Sequence, residues 1–182
     1  TVSGIATVIG QGFSGTFTSS GIVIILGALI GMILEVTGAA FAMADAIVRI
    51  VGKRRPVLAI ELMGWVVSIP VFCDSGFVIL NPIRKALARR TGASSVAMTV
   101  ALSAGLYTSH VFIPPTPGPI AAANTLGIGD HLLLVIALGT LVSIPSLVVA
   151  YVFAQWVGRR VASSEDEEIA DADVEAGYEA LR

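Results

Sequence analysis

Two short segments carry side chains and backbone breaks suited to binding a small anion. In the first, Phe72-Cys73-Asp74-Ser75-Gly76-Phe77, one carboxylate stands deep in an apolar stretch. An acid at membrane depth is expensive and faces a protein interior, a partner or a water path. Asp74 could bind a coupling proton or cation, or could cap a returning helix by accepting from its first backbone N–H groups. In the second segment, Tyr107-Thr108-Ser109-His110 runs towards Ile113-Pro114-Pro115-Thr116-Pro117-Gly118-Pro119. Hydroxyls beside an imidazole suit recognition of hydroxyls and a carboxylate; the same groups could instead be satisfied within helix packing. Four prolines between Pro114 and Pro119 remove donors and fix φ, so this stretch cannot be helix. The carbonyls so freed could coordinate Na⁺ or accept from a substrate. A half-helix starting beyond them would turn its positive end towards an anion. Thr116 adds a hydroxyl. Asn81, before Pro82, could bond a substrate or bridge two helices.

The elements that must position these groups belong in a membrane. The 182 residues are 55% hydrophobic and only 13% charged, where a soluble domain carries roughly 25% charged residues. Mean hydropathy is +0.87. Ten of the eleven basic residues but five of the thirteen acids precede residue 161, so a basic body adjoins an acidic tail. Residues 132–156 hold no charge and are long enough to cross a bilayer core. Gly27 and Gly31 form a small-xxx-small pair, the pattern of close helix packing. Cys73 is the only cysteine, which excludes disulfides and cysteine metal clusters within the chain. Thr1 in place of Met points to a fragment or a processed chain.

Basic residues gather at Lys53-Arg54-Arg55, at Arg84-Lys85 with Arg89-Arg90, and at Arg159-Arg160, and the positive-inside rule puts all three on the cytoplasmic side. Residues 38–51 read as an interfacial helix, with Asp45 and Arg49 spaced for an i,i+4 pair. Residues 56–83 lie between two cytoplasmic signals and are too short for two crossings of roughly 20 residues each. A re-entrant hairpin with its tip near residues 69–76 satisfies both constraints, since non-helical backbone at depth must lie in protein or beside a wet cavity. From there the chain goes out through a proline-broken crossing over 93–126 and returns through 131–157. The expected fold is thus all-α, a multi-pass transporter half over 1–160. Residues 161–182 form an acidic cytoplasmic tail, disordered or loosely helical, or a connector to a second repeat.

Walker, GxSxG and HExxH motifs are absent, and no metal spacing recurs. Asp74, Ser109 and His110 could be drawn as a hydrolytic triad. Adjacent Ser109 and His110 on a helix point about 100° apart, which is poor nucleophile–base geometry. Glu61 and Glu35, each near an expected interface, read as solvated or structural, and His131 as solvent-facing.

At these residues the chain resembles the gluconate permease (GntP) family of proton-coupled organic-anion transporters. The resemblance rests on Gly64-Trp65, Ile69-Pro70-Val71-Phe72, Asp74-Ser75-Gly76-Phe77-Val78 and Arg89-Arg90-Thr91-Gly92. It rests most specifically on Ala104-Gly105-Leu106 through His110 to Pro119. It covers most of this chain but about a third of a full permease. Two departures are Thr116, where members often carry His, and Val111, where Gly is common. The resemblance implies inverted repeats, re-entrant hairpins, a broken helix beside the substrate and elevator-type movement in a homodimer.

It puts substrate contacts at the Asp74–Ser75 tip and in the 108–116 region; the candidate contacts on the hairpin are Asp74, Ser75, Gly76 and, from the residue reading above, Asn81 further along the same arm. The remaining contacts are Thr108, Ser109, His110, Pro115, Thr116 and Gly118. Asp74 is the expected coupling residue, for H⁺ or alternatively Na⁺, with no cofactor and no metal. The implied function is symport of small hydroxylated carboxylates such as gluconate across the cell (inner) membrane. Partners are the substrate anion, the bilayer and a second repeat, with no nucleic acid. The alternatives are an incomplete, non-transporting membrane module of a permease and, less favoured, an intramembrane hydrolase.

Overall fold

The computed structural model describes residues 2–51 and 55–166, and every regular element among them is a helix. Residues 52–54, which hold Lys53 and Arg54 of the first basic cluster, and tail residues 167–182 lie outside the description. α1 (Val2–Thr16) continues through a π-helical turn (Phe17–Gly21) into α2 (Ile22–Val36), followed by α3 (Ala39–Val51) and α4 (Pro56–Val67). Then come α5 (Cys73–Thr91), α6 (Ser95–Phe112), α7 (Pro117–Thr125) and α8 (Leu132–Gly158).

Local chemistry sets most of these boundaries. Pro56 and Pro117 open α4 and α7, where a missing N–H costs nothing; the proline stretch is therefore non-helical only over 113–116, and 117–119, expected to be outside helix, are the first turn of α7. α5 ends at Gly92, whose φ of 62° is the left-handed cap that glycine adopts without a Cβ penalty. α6 starts at Ser94, whose side chain accepts from the Ala97 N–H, and stops before Pro114 and Pro115, which cannot extend it. In α3, Arg49 Nε lies 2.7 Å from Asp45 Oδ2, as the i,i+4 spacing predicts.

The core is a stack of α4, α6 and α8, with α3 and α5 against its flanks. Glycines let the backbones touch. A Cβ on Gly64 would stand 2.8 Å from Leu102 O, and one on Gly105 would collide with Glu61 O. On the other side of α6, a Cβ on Gly139 of α8 would meet Phe112 O. Around these contacts Ile60, Met63, Leu80, Met98, Leu102 and Leu106 are fully buried. Trp65 Nε1 donates to Ser143 Oγ at 3.1 Å and ties α4 to α8.

The outer faces are apolar as well. Val8 and Phe13 of α1, Leu29 and Ile33 of α2, and Leu133, Leu141, Val149 and Phe153 of α8 are exposed. A helix apolar all round belongs in a large core or a membrane, and α8 has little protein around it. Among the described residues, two helical stretches are long and apolar enough to cross a bilayer: Ser95–Thr125, which contains the proline interruption, and Leu132–Gly158. At the end of α8, Arg160 lies over the Trp156 ring at 4.6 Å, a pairing suited to a headgroup layer.

At the start of the acidic tail, residues 164–166 form a helical turn held against α5 and α6. Glu165 pairs with Arg84 and Lys85, and Asp166 Oδ1 accepts from Ser95 N at 2.8 Å. The basic end of α5 and the bare N–H groups opening α6 attract the first carboxylates that follow α8.

Candidate functional site

Between α4 and α5 the chain leaves helix for a few residues. Ser68 closes α4 and its hydroxyl donates to Val71 O at 3.2 Å, which folds the break back on itself. Pro70 has no N–H to continue α4, and Phe72 has the extended backbone that opens α5. The second break, residues 113–116, is built similarly. Ile113 is extended, and Thr116 Oγ1 lies 2.7 Å from His110 O and 2.9 Å from Ile113 O. The Thr116 hydroxyl therefore closes the end of α6, and Thr116 is also the residue from which α7 starts.

These two breaks meet. Ile69, Pro70, Val71 and Phe72 from the first line one cleft with Pro115 and Thr116 from the second and Gly27 from α2. α2 reaches both through its glycine face. A Cβ on Gly27 would stand 3.2 Å from the Pro115 side chain, and one on Gly31 would stand 2.6 Å from Pro70 O. The free space in the cleft is about 10 Å³, close to what one water needs and far below the roughly 300 Å³ of a small-molecule pocket. The junction is closed in this conformation. Both α5 and α7 begin at residues lining it, so two helix N-termini converge there, an arrangement favourable to negative charge.

Around the junction the expected site residues separate into groups. The His110 ring packs at a tilt against Phe72, centroids 5.9 Å apart, with its Nδ1 buried and without a hydrogen-bond partner among the described residues. Thr108 and Ser109 are buried in α6, and Ser109 Oγ lies 3.4 Å from Leu106 O of its own helix. Asp74 lies in the first turn of α5 but is exposed, and lines a separate shallow cleft with Cys73, Phe77, Ser103, Leu106 and Tyr107. Ser75 is half-buried, and Gly76 is buried where a Cβ would press on Leu106 Cδ2 at 2.8 Å. Pro115 and Thr116 line the junction itself, whereas Gly118 is exposed on α7 with open space beside it. Asn81 lies elsewhere: its Oδ1 accepts from Arg84 Nε at 2.7 Å, near the basic end of α5.

Sequence reasoning missed two buried charged residues. Glu61, expected near an interface, is 1% exposed in the middle of α4, with neither carboxylate oxygen hydrogen-bonded within the described residues. Its correct reading needed the α4–α6 crossing, which rests on Gly64 and Gly105 rather than on any polar signal. Arg84, assigned to a solvated basic cluster, is 2% exposed. Asn81 three residues earlier on the same helix was the available signal. Among the described residues, no group of three or more His, Cys, Asp or Glu could hold a metal ion.

The comparisons with known proteins agree in one direction. The model of the GntP family permeases matches residues 1–179. An uncharacterized permease of Haemophilus influenzae is 37% identical over 169 residues, covering 93% of this chain and 34% of that protein. A gluconate permease of Pseudomonas aeruginosa is 31% identical over 164 residues, covering 88% of this chain and 36% of the relative. The inner membrane permease YgbN of Escherichia coli is 36% identical over 149 residues, 82% of this chain and 32% of YgbN. The chain thus spans about a third of the length of the relatives it matches. No solved structure matches it. With its family matched along nearly its whole length, this chain belongs to the GntP permeases, a family of membrane transporters and not of enzymes.

Proposed function

We propose that this chain forms part of a secondary transporter for small hydroxylated carboxylates such as gluconate, moved by proton symport. The observation that carries the reading is the shared junction of two helix breaks beneath the glycine face of α2. Two N-termini converging on one point favour an anion there, and broken helices at bilayer depth are tolerated where they line a cavity. In this reading residues 56–83 form a re-entrant hairpin and 93–126 a broken crossing in a multi-pass inner-membrane protein. A second repeat completes the site, and the transporter works as a homodimer. Because the junction is closed, substrate enters only when α2 and the breaks separate, which gives a two-state gate.

Asp74, one turn from the junction and open to the opposite cleft, is the proposed proton-coupling group. Sodium is the alternative ion. The test is uptake of labelled gluconate into cells carrying the full-length protein, with and without an imposed proton gradient. Asp74→Asn is expected to abolish gradient-driven accumulation while leaving exchange of internal for external gluconate. Normal accumulation in Asp74→Asn rejects Asp74 in this role.

A second reading has one observation in its favour. A chain spanning about a third of its relatives, with its junction closed, could be a membrane module that assembles without moving solute. Coding sequence that continues past Arg182 into similar apolar segments, with gluconate uptake by the protein it encodes, removes the module reading; lack of uptake by that protein supports it.

A further inference from the structure

Away from the junction, the basic end of α5 holds a second constellation. The Arg84 side chain is 3% exposed, and its guanidinium is nearly enclosed by protein. Nε donates to Asn81 Oδ1 at 2.7 Å and NH1 to Ser95 O at 3.4 Å. NH2 faces both oxygens of Glu165, at 2.9 and 3.3 Å, while Lys85 Nζ lies 3.1 Å from Oε1 of the same carboxylate. The cation is therefore built into the helical body, but the anion arrives from outside it. Glu165 is carried on a single helical turn after the non-helical residues 161–163. A buried cation demands a partner charge, because leaving it unpaired costs far more than the pair contributes. The site requires a carboxylate, yet nothing in its construction requires that carboxylate to be Glu165.

Next to the ion pair the surface opens into a cleft of about 450 Å³, lined by Phe77, Asn81, Ser95, Thr99 and Val100 among others. That volume lies in the range of small-ligand sites. Ser95 lines it, is 2% exposed, and its hydroxyl has no hydrogen-bond partner among the described residues. A buried hydroxyl left unpaired at the wall of a roomy cleft is rare and points to a ligand group or a water. Thr99 does not compete for the same role, since its hydroxyl is bonded to Ser95 O at 2.7 Å.

We infer that this cleft is a second carboxylate-binding site, separate from the junction of the breaks, and that Glu165 occupies it as a tethered stand-in. Its ligand is a small carboxylate with a hydroxyl near the carboxylate carbon. The carboxylate replaces that of Glu165 on Arg84 and Lys85, and the hydroxyl meets Ser95 Oγ. Binding releases the start of the acidic tail from α5 and α6, so occupancy of the cleft is read out as movement of that segment. The choice of ligand class rests on the transport reading; the existence of the site does not.

The test uses full-length protein in lipid nanodiscs, with its cysteines (Cys73 included) replaced by serine and a fluorophore on Ser164→Cys. Ser164 is exposed and next to the ion pair. Gluconate is expected to give a saturable fluorescence change with a midpoint near millimolar, because a short tether presents Glu165 at roughly that effective concentration. Sorbitol, which keeps the hydroxyls and lacks the charge, is expected to give none. Ser95→Ala is expected to raise the midpoint about fivefold, as loss of one hydrogen bond does. Glu165→Gln is expected to show the released signal before any ligand is added. No response to gluconate, an equal response to chloride at matched ionic strength, or an unchanged midpoint in Ser95→Ala overturns the proposal. Tail release without gluconate uptake keeps this site and removes the transport reading; uptake without tail release does the reverse.

Discussion

Gly31→Ala probes the contact between α2 and the break after α4 with a single methyl group. The added Cβ would stand 2.6 Å from Pro70 O, where an ordinary carbon–oxygen contact is about 3.3 Å, so something must move by about 0.7 Å. The obstacle is backbone in a break between two packed helices, so it cannot swing aside as a side chain would. α2 is the freer partner, with Leu29, Ile30, Met32 and Ile33 exposed around the same turns. Separation of α2 from the breaks is thus the expected response. Overpacking of this kind costs about 1–3 kcal/mol, equivalent to about fivefold to a hundredfold in the closed-state population.

Transport needs both states of the gate, so depletion of the closed one is expected to lower initial rates of labelled gluconate uptake, normalised to protein in the membrane, about tenfold for Gly31→Ala. Gly27→Ala should lose less, because its Cβ meets the Pro115 side chain at 3.2 Å instead of a carbonyl. Gly10→Ala, with nothing within 4 Å, is the control and should be silent. A Gly31→Ala protein that inserts normally and transports at the parental rate would refute the claim that α2 rides on both breaks.

Other outcomes follow from the same contacts. Gly105→Ala puts a Cβ into Glu61 O at the tightest crossing of α4 and α6, and should cost about 3 kcal/mol or more, seen as loss of folded protein in detergent. Ser143→Ala removes the acceptor of Trp65 Nε1 and should cost about 1 kcal/mol, read as a lower melting temperature with uptake retained. Glu165 has its carboxyl held below the ordinary value of 4.5 by hydrogen bonds from Arg84, opposed by burial and assisted by Lys85. The folded value is the lower one, so this stabilisation is complete above pH 4.5 and is lost as pH falls below it. Tail release followed by the Ser164→Cys fluorophore should therefore rise below pH 4.5, and Glu165→Gln should remove that dependence.

Much of the secondary structure was legible because prolines, glycines and charge clusters mark it directly. Pro114 and Pro115 announce the end of α6, Gly92 the end of α5, and the uncharged run after His131 the long α8. The Gly27/Gly31 pair was readable as a packing face, but not the surface it packs on. Only the fold brings Pro70 and Pro115, 45 residues apart in sequence, under the same helix. Side-chain roles were less legible, since they depend on which neighbour satisfies each group first. The Thr116 hydroxyl is taken by the carbonyls of α6, and Asn81 by Arg84. Asp74 and Thr116 sit in different clefts. Burial of Glu61 and Arg84 was hidden for the same reason: a charge in a sequence carries no mark of the helices that will enclose it.

Cysteine cross-linking across the junction tests most directly whether the breaks and α2 form the passage for the anion. Gly27→Cys with Pro115→Cys, in a Cys73→Ser background, places two Cβ atoms close to the separation a disulfide needs, since a Cβ at 27 stands 3.2 Å from Pro115 Cβ. In native membranes the pair should cross-link rapidly under mild oxidant, and gluconate, but not sorbitol, should slow the reaction. Failure to cross-link, or a rate indifferent to gluconate, would contradict the account.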